Sequence, residues 1–153
     1  MEINKTELKV SALENGTVID HIPQGHVLEV MRILNLEIFE DQIYFGANLE
    51  SKKYGKKGII KVSNRFFEDT EINKIAVVAP TATLIEIRNY EVTRKTGVSI
   101  PDEIHGIIRC FNPKCITNHE KVTTHFSVVD KDDLKIKCHY CEKITKKQNI
   151  TFV

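Results

Sequence analysis

Four residues separate Cys110 from Cys115 and two separate Cys138 from Cys141, and no other residues of the sequence have types and spacing so suited to chemistry. Two thiolates on one tight turn reach one edge of a tetrahedron, and a second turn supplies the opposite edge, which is the arrangement zinc prefers. Four thiolates leave no open position for water or substrate. Such a site is structural, and its binding energy becomes folding energy, on the order of 10 kcal/mol in small zinc modules. Two disulfides, or a redox pair at Cys138 and Cys141, are the alternatives. The opening MEINKTELK is polar and charged rather than a secretory leader, so a cytoplasmic setting that keeps thiols reduced is expected. A redox pair would open a helix after a strand, whereas Cys138-His139-Tyr140-Cys141 precedes a charged turn. His119, His125 and His139 are near enough to substitute as ligands, but with four thiolates at hand they read as bystanders.

The elements that must position these residues follow from length and periodicity. A zinc module of about fifty residues leaves room, in a chain of 153 residues, for a second small domain. Lys plus Arg is 22 against 21 for Asp plus Glu, with 13 basic and 14 acidic residues before position 100. That balance excludes the global basic field that drives non-specific nucleic-acid binding. No apolar run is long enough to span a bilayer, so a protein without membrane spans is expected.

In the first hundred residues, Leu8, Val10 and Ala12 alternate with polar neighbours as a half-buried strand does. Asn15-Gly16 then turns into Thr17–Ile22, a hairpin signal. Val27, Val30, Met31, Leu34 and Ile38 recur with helical spacing. Strands are expected over 43–49 and 58–62, joined by a polar connection over 51–57. A second helix carries Ile72, Ile75, Ala76 and Ala79 on one side and stops at Pro80. A strand follows over 83–87, with an extension from Tyr90 to Lys95. From Thr17 the order is strand, helix, strand, strand, helix, strand, the split βαβ or ferredoxin-like arrangement of an antiparallel sheet with two helices on one face. The Leu8–Leu13 strand is then an edge addition. Pro101 and Gly106 mark a change of pattern, which places a boundary between domains 1–100 and 101–153. Beyond it, 122–130, 134–138 and 148–153 read as short strands of a small all-β module folded around zinc. The fold class is therefore α+β.

Several strings now occur together in order: Gly16-Thr17-Val18-Ile19-Asp20-His21-Ile22-Pro23, Gly46-x-Asn48-Leu49, Lys57-x-x-x-Lys61, Ala79-Pro80-x-Ala82-Thr83, Asn89-Tyr90-Glu91-Val92 and Cys138-x-Tyr140-Cys141-Glu142-Lys143. With them the whole chain resembles the regulatory chain of aspartate carbamoyltransferase, the first committed enzyme of pyrimidine synthesis. The resemblance implies a non-catalytic chain whose first domain binds nucleotide effectors, CTP and ATP, and whose zinc domain docks on the catalytic chain. It also implies a regulatory-chain homodimer, one structural Zn2+ per chain, and no nucleic-acid or membrane partner. Carried over position by position, Asp20 would contact ribose, His21 and Lys95 the triphosphate, and Lys61 the sugar and base region with Lys57 nearby. Val10, Ala12, Leu13, Val18, Tyr90 and Val92 would line the base and sugar pocket. Asn112, Lys114 and Glu120 would meet the catalytic chain.

These residue types also make sense on their own. A triphosphate needs cations converging from different strands, which Lys57, Lys61 and Lys95 could supply, and His21 adds a charge that responds to pH. Lysines on polar strand faces are ordinarily just solvated; the GTVIDHIP context sets these apart. Glu7 and Ile85 depart from the family pattern, which has lysine and asparagine there, and Lys114 replaces an asparagine. A zinc-ribbon nucleic-acid binder is the rival from another class, using Lys114, Lys121, Lys135, Lys137, Lys146 and Lys147. Those charges are interleaved with Asp130, Asp132, Asp133 and Glu142, and no aromatic stacking array accompanies them. An enzyme is the second rival, against which stand the closed thiolate site and the lack of a glycine-rich phosphate loop.

Overall fold

The computed structural model describes residues 13–153. The chain divides into two compact units, residues 1–99 and 100–153.

In the first unit, alternating apolar residues build a five-stranded antiparallel sheet. Its strands are β1 (Gly16–Pro23), β2 (Ile43–Ser51), β3 (Gly55–Ser63), β4 (Thr83–Arg88) and β5 (Glu91–Gly97), in the spatial order β2-β3-β1-β4-β5. Helix α1 (Val27–Ile33) links β1 to β2, and α2 (Asp69–Ile72), continued by a 3-10 turn over Asn73–Val77, links β3 to β4. The first four strands with these helices form the ferredoxin-like arrangement, and β5 extends it at one edge. Ile19, Ile60, Val62 and Leu84 are completely buried on the helix side of the sheet, together with Val30 and Ile75.

Both helices are shorter than their periodicity suggests. Asn35 takes a left-handed conformation (φ 55°) that ends the α1 segment. The helical phase is lost there, so Leu36 is buried and Ile38, expected on the apolar face, is 79% exposed. In α2 the tighter 3-10 turn still keeps Ile72, Ile75, Ala76 and Ala79 inside. The β4 extension proves to be a hairpin. Asn89 and Tyr90 both adopt positive φ (52° and 66°), the conformation of a two-residue turn whose twist suits paired strands, and β5 returns along β4. The expected edge strand over 8–13 lies outside the described residues except for Leu13, which is buried.

The second unit holds a four-stranded antiparallel sheet in the order β10-β9-β8-β6 and a two-stranded pair β11-β7. The strands are β6 (Glu103–His105), β7 (Ile108–Arg109), β8 (His125–Asp130), β9 (Lys135–Cys138), β10 (Ile144–Lys146) and β11 (Thr151–Phe152). Ile104, Ile108, Phe126, Leu134 and Ile136 are its buried apolar residues. Thr124 is buried with them and donates its hydroxyl to the Ile108 carbonyl at 2.6 Å.

Candidate functional sites: an open sheet face and a four-thiol knot

Cross-strand register decides which side chains share a face, because directly opposed residues point the same way. In the first unit Tyr44, Lys61, Val18, Ile85 and Lys95 are successive partners across β2, β3, β1, β4 and β5. Five strands thus contribute one row of side chains. The helices cover the other face, since a Cβ built on Gly58 would lie 2.0 Å from Val27 Cγ2 of α1, so the even-numbered positions of β3 point toward that helix. Lys57 and Lys61, at odd positions, point away from it.

A bulge in β1 adds two further groups. The pairing of β1 with β3 shifts between Ile19 and Ile22, and His21 sits at φ 57°. In a regular strand Asp20 and His21 would face opposite sides; the bulge turns both to the open face. Asp20 opposes Thr83, and His21 Nδ1 lies 3.0 Å from Thr83 Oγ1. Asp20 is buried, and its Oδ1 accepts from Lys57 Nζ at 2.7 Å and from the His21 amide at 2.6 Å. Burial lowers the His21 pKa from its usual 6.5; Asp20 opposes the change, and Lys57, Lys95 and Lys53 reinforce it. Lys53, Thr83 and the Tyr54 ring, edge-on to His21 at 5.8 Å, belong to this cluster and were not singled out from sequence. The β2–β3 register that brings Lys53 and Tyr54 there leaves no local trace in the polar stretch they occupy.

The apolar candidates form the adjoining part. Leu13, Val18, Ile85 and Ile87 make one buried cluster against which Ile59 packs. Leu13, Lys61 and Tyr90 line a cavity of about 810 Å3 together with Tyr44, Phe45 and Ile59. Val92 opposes Ile87 and is 54% exposed. The face turned away from the helices therefore carries an ionic group, with Asp20, His21, Lys57 and Lys95, and an apolar group in which Leu13 and Val18 are buried and Tyr90 is exposed. Val10 and Ala12 lie outside the described residues, as does Glu7.

In the second unit the sulfur atoms of Cys110, Cys115, Cys138 and Cys141 all lie within 4.8 Å of one another. The Cys110–Cys141 and Cys115–Cys138 separations are 3.6 and 3.8 Å. Zinc–sulfur bonds of about 2.3 Å at tetrahedral angles place sulfurs about 3.8 Å apart, while a disulfide needs about 2.0 Å. The set therefore fits one zinc and excludes the two-disulfide alternative. Turn geometry holds it: the Cys115 amide donates to Asn112 O at 3.0 Å, and the Glu142 amide to Cys138 O at 2.9 Å, with Glu142 at φ 62°. Asn118 Nδ2 clamps the loop by donating to Cys110 O and Asn112 O at 3.0 and 2.8 Å.

Burial pushes the Cys110 and Cys138 thiols upward. At Cys141 burial acts in the same sense, but the Lys143 amide, the Asn112 side chain and the neighbouring Cys110 and Cys138 outweigh it and bring the thiol down to about 7. Asn112, expected at the catalytic-chain contact, thus also supports the knot; Lys114 and Glu120 are exposed on the same loop. No helix among the described residues is long and apolar enough to cross a membrane.

A ferredoxin-like sheet with a charged cluster on the face away from its helices, joined in sequence to a β unit knotted by one structural zinc, defines a two-unit, metal-stabilised α+β protein. Residues 8–99 match the family described as aspartate carbamoyltransferase regulatory chain, allosteric domain, and residues 102–151 that chain's metal binding domain. The aspartate carbamoyltransferase regulatory chain of Bacteroides thetaiotaomicron is 54% identical over 153 residues, covering all of both chains. Its namesake in Pyrococcus horikoshii is 51% identical over 146 residues, covering 94% of this chain and 96% of that one. The chain belongs to the family of aspartate carbamoyltransferase regulatory chains. It is a non-catalytic subunit of a pyrimidine-pathway enzyme, and nothing in these relatives favours the nucleic-acid-binding alternative.

Proposed function

We propose that the open face of the first unit binds a nucleoside triphosphate effector, CTP or ATP, and that the zinc unit docks on the catalytic chain through the loop bearing Asn112, Lys114 and Glu120. In this assignment residues 1–100 are the allosteric domain and 101–153 the docking domain of a cytoplasmic protein that pairs with a second copy of itself. The observation that carries it is the row Lys61, Val18, Ile85, Lys95, flanked by the Asp20–Lys57 pair and His21. His21 and Lys95 would hold the triphosphate. Asp20 Oδ1 is committed to Lys57 and the His21 amide, so Oδ2 is the oxygen to receive a ribose hydroxyl. Val18, Leu13, Tyr90 and Val92 would flank sugar and base, with Lys61 beside them.

A nucleotide shifts an assembly between states only by its difference in affinity for them. The effector site and the docking loop are therefore two ends of one linkage. Calorimetric titration of the assembled complex with CTP and with ATP tests the first end. Lys95→Ala and Lys61→Ala should each weaken binding by about tenfold or more, the loss expected of a charge-assisted phosphate or base contact. Unchanged affinity in both variants would reject this site. Co-purification with the catalytic chain, with and without a zinc chelator, tests the second, and association that survives complete zinc removal would reject the docking role.

A further inference from the structure

Two of the histidines set aside as bystanders to the thiolates, His125 and His139, stack together with a further one, His105. His105 on β6 directly opposes His125 on β8, and their rings stack with centroids 4.0 Å apart. The His139 ring stacks on the other side of His125 at 4.4 Å, and its amide donates to His125 O at 2.8 Å. Glu103, two residues before His105 and on its face of the strand, brings Oε2 to 3.8 Å from His105 Nε2 and 3.5 Å from His125 Nε2. The ligand atoms of Glu103, His105 and His125 lie within 4.8 Å of one another. His125 Nε2 is shielded from solvent and makes no hydrogen bond among the described residues, a state that buried polar atoms rarely keep without a partner.

We propose that Glu103, His105 and His125 form a second metal site, selective for a borderline divalent ion such as Zn2+, Co2+ or Ni2+. Two imidazoles and one carboxylate are a donor set such ions accept, and nitrogen–oxygen separations near 3.5 Å suit ligands about 2.1 Å from a shared centre. The site is separate from the thiolate knot. Ile104, Phe126 and Cys138 are successive cross-strand partners and share the core face of the sheet. Glu103, His105 and His125, each one position along, occupy the opposite face. Chelation asks for a turn of the stacked His105 ring so that its lone pair meets that of His125, and His105, 58% exposed, has solvent around it to make that turn. Three protein donors leave at least one coordination position for water or an outside ligand, unlike the closed four-thiolate site.

The test uses the full chain carrying its zinc, titrated with Ni2+ while heat and broadening of imidazole proton resonances are followed. Zinc content is measured before and after. One equivalent of Ni2+ should bind with zinc retained, broadening His105 and His125. His105→Ala should abolish that equivalent, and Glu103→Gln should weaken it by about tenfold; both positions are exposed, so neither change threatens the core. Three results would each overturn the proposal: no second equivalent, Ni2+ uptake matched by zinc release, or unchanged uptake in both variants.

Discussion

Lys57 Nζ lies 2.7 Å from Asp20 Oδ1, with side-chain exposures of only 15% and 9%, so one strand of the β2–β3 hairpin is tied to the bulged central strand by a nearly buried ion pair. Removing the cation leaves Asp20 with the His21 amide as its remaining donor among the described residues. An unpaired carboxylate at such burial costs about 3 kcal/mol. Lys57→Met should therefore lower the urea midpoint markedly, and adding Asp20→Asn should recover much of the loss. A Lys57→Met protein unfolding at the parental midpoint would show that the pair carries no stability.

His21 gives a pH dependence whose sign is fixed by its surroundings. Burial lowers its pKa from 6.5, Asp20 opposes, and Lys57, Lys95 and Lys53 add to the lowering. Between the lowered value and 6.5 the unfolded chain binds more protons than the folded one, so stability rises with pH across that window and is lost as pH falls through it. A bound polyphosphate adds negative charge beside the ring and should raise its pKa, so that binding takes up a proton. Titration of the His21 imidazole by NMR should give a midpoint below 6.5 that climbs when triphosphate is added. A midpoint unmoved by saturating nucleotide would remove His21 from the phosphate subsite.

The parts of this architecture legible in the sequence are those set by short-range pattern. Alternation located β1 to β4, and two tight cysteine pairs announced the zinc knot. What escaped depended on backbone conformation or on register. Asn35 at positive φ ended α1 one turn early, and the Asn89–Tyr90 turn converted an expected extension into the separate edge strand β5. Strands β6, β7 and β10 span 3, 2 and 3 residues, too short for alternation to register. At the candidate site, Asp20 and His21 stood out within their motif, but their turning to one face depends on the bulge, and Lys53, Tyr54 and Thr83 join them only through pairing between strands distant in sequence.

Zinc removal should separate the two units experimentally. Coordination energy of about 10 kcal/mol exceeds what a β unit of this size gains from its small core. Chelation, or Cys138→Ala, should abolish hydrogen-exchange protection at the Phe126 and Ile136 amides while leaving that of Val18 and Ile60 in place. Loss of protection at all four together would mean that the first unit folds only with the second.

Gly58 tests the packing of α1 on β3. A Cβ there would fall 2.0 Å from Val27 Cγ2 and 3.4 Å from Gly46 O. Neither the helix nor the neighbouring strand can yield cheaply, and overpacking of this kind costs about 1–3 kcal/mol. At Gly97, by contrast, an added Cβ meets nothing within 4 Å, and a surface change there should stay within about 0.5 kcal/mol. Thermal or urea unfolding of Gly58→Ala and Gly97→Ala should therefore differ clearly. Combining Gly58→Ala with Val27→Ala removes the clashing methyl and should return part of the loss, because the cost lies in that one contact rather than in the conformation of the strand. If the double variant is no more stable than Gly58→Ala alone, the helix is not seated on β3 as closely as this contact requires.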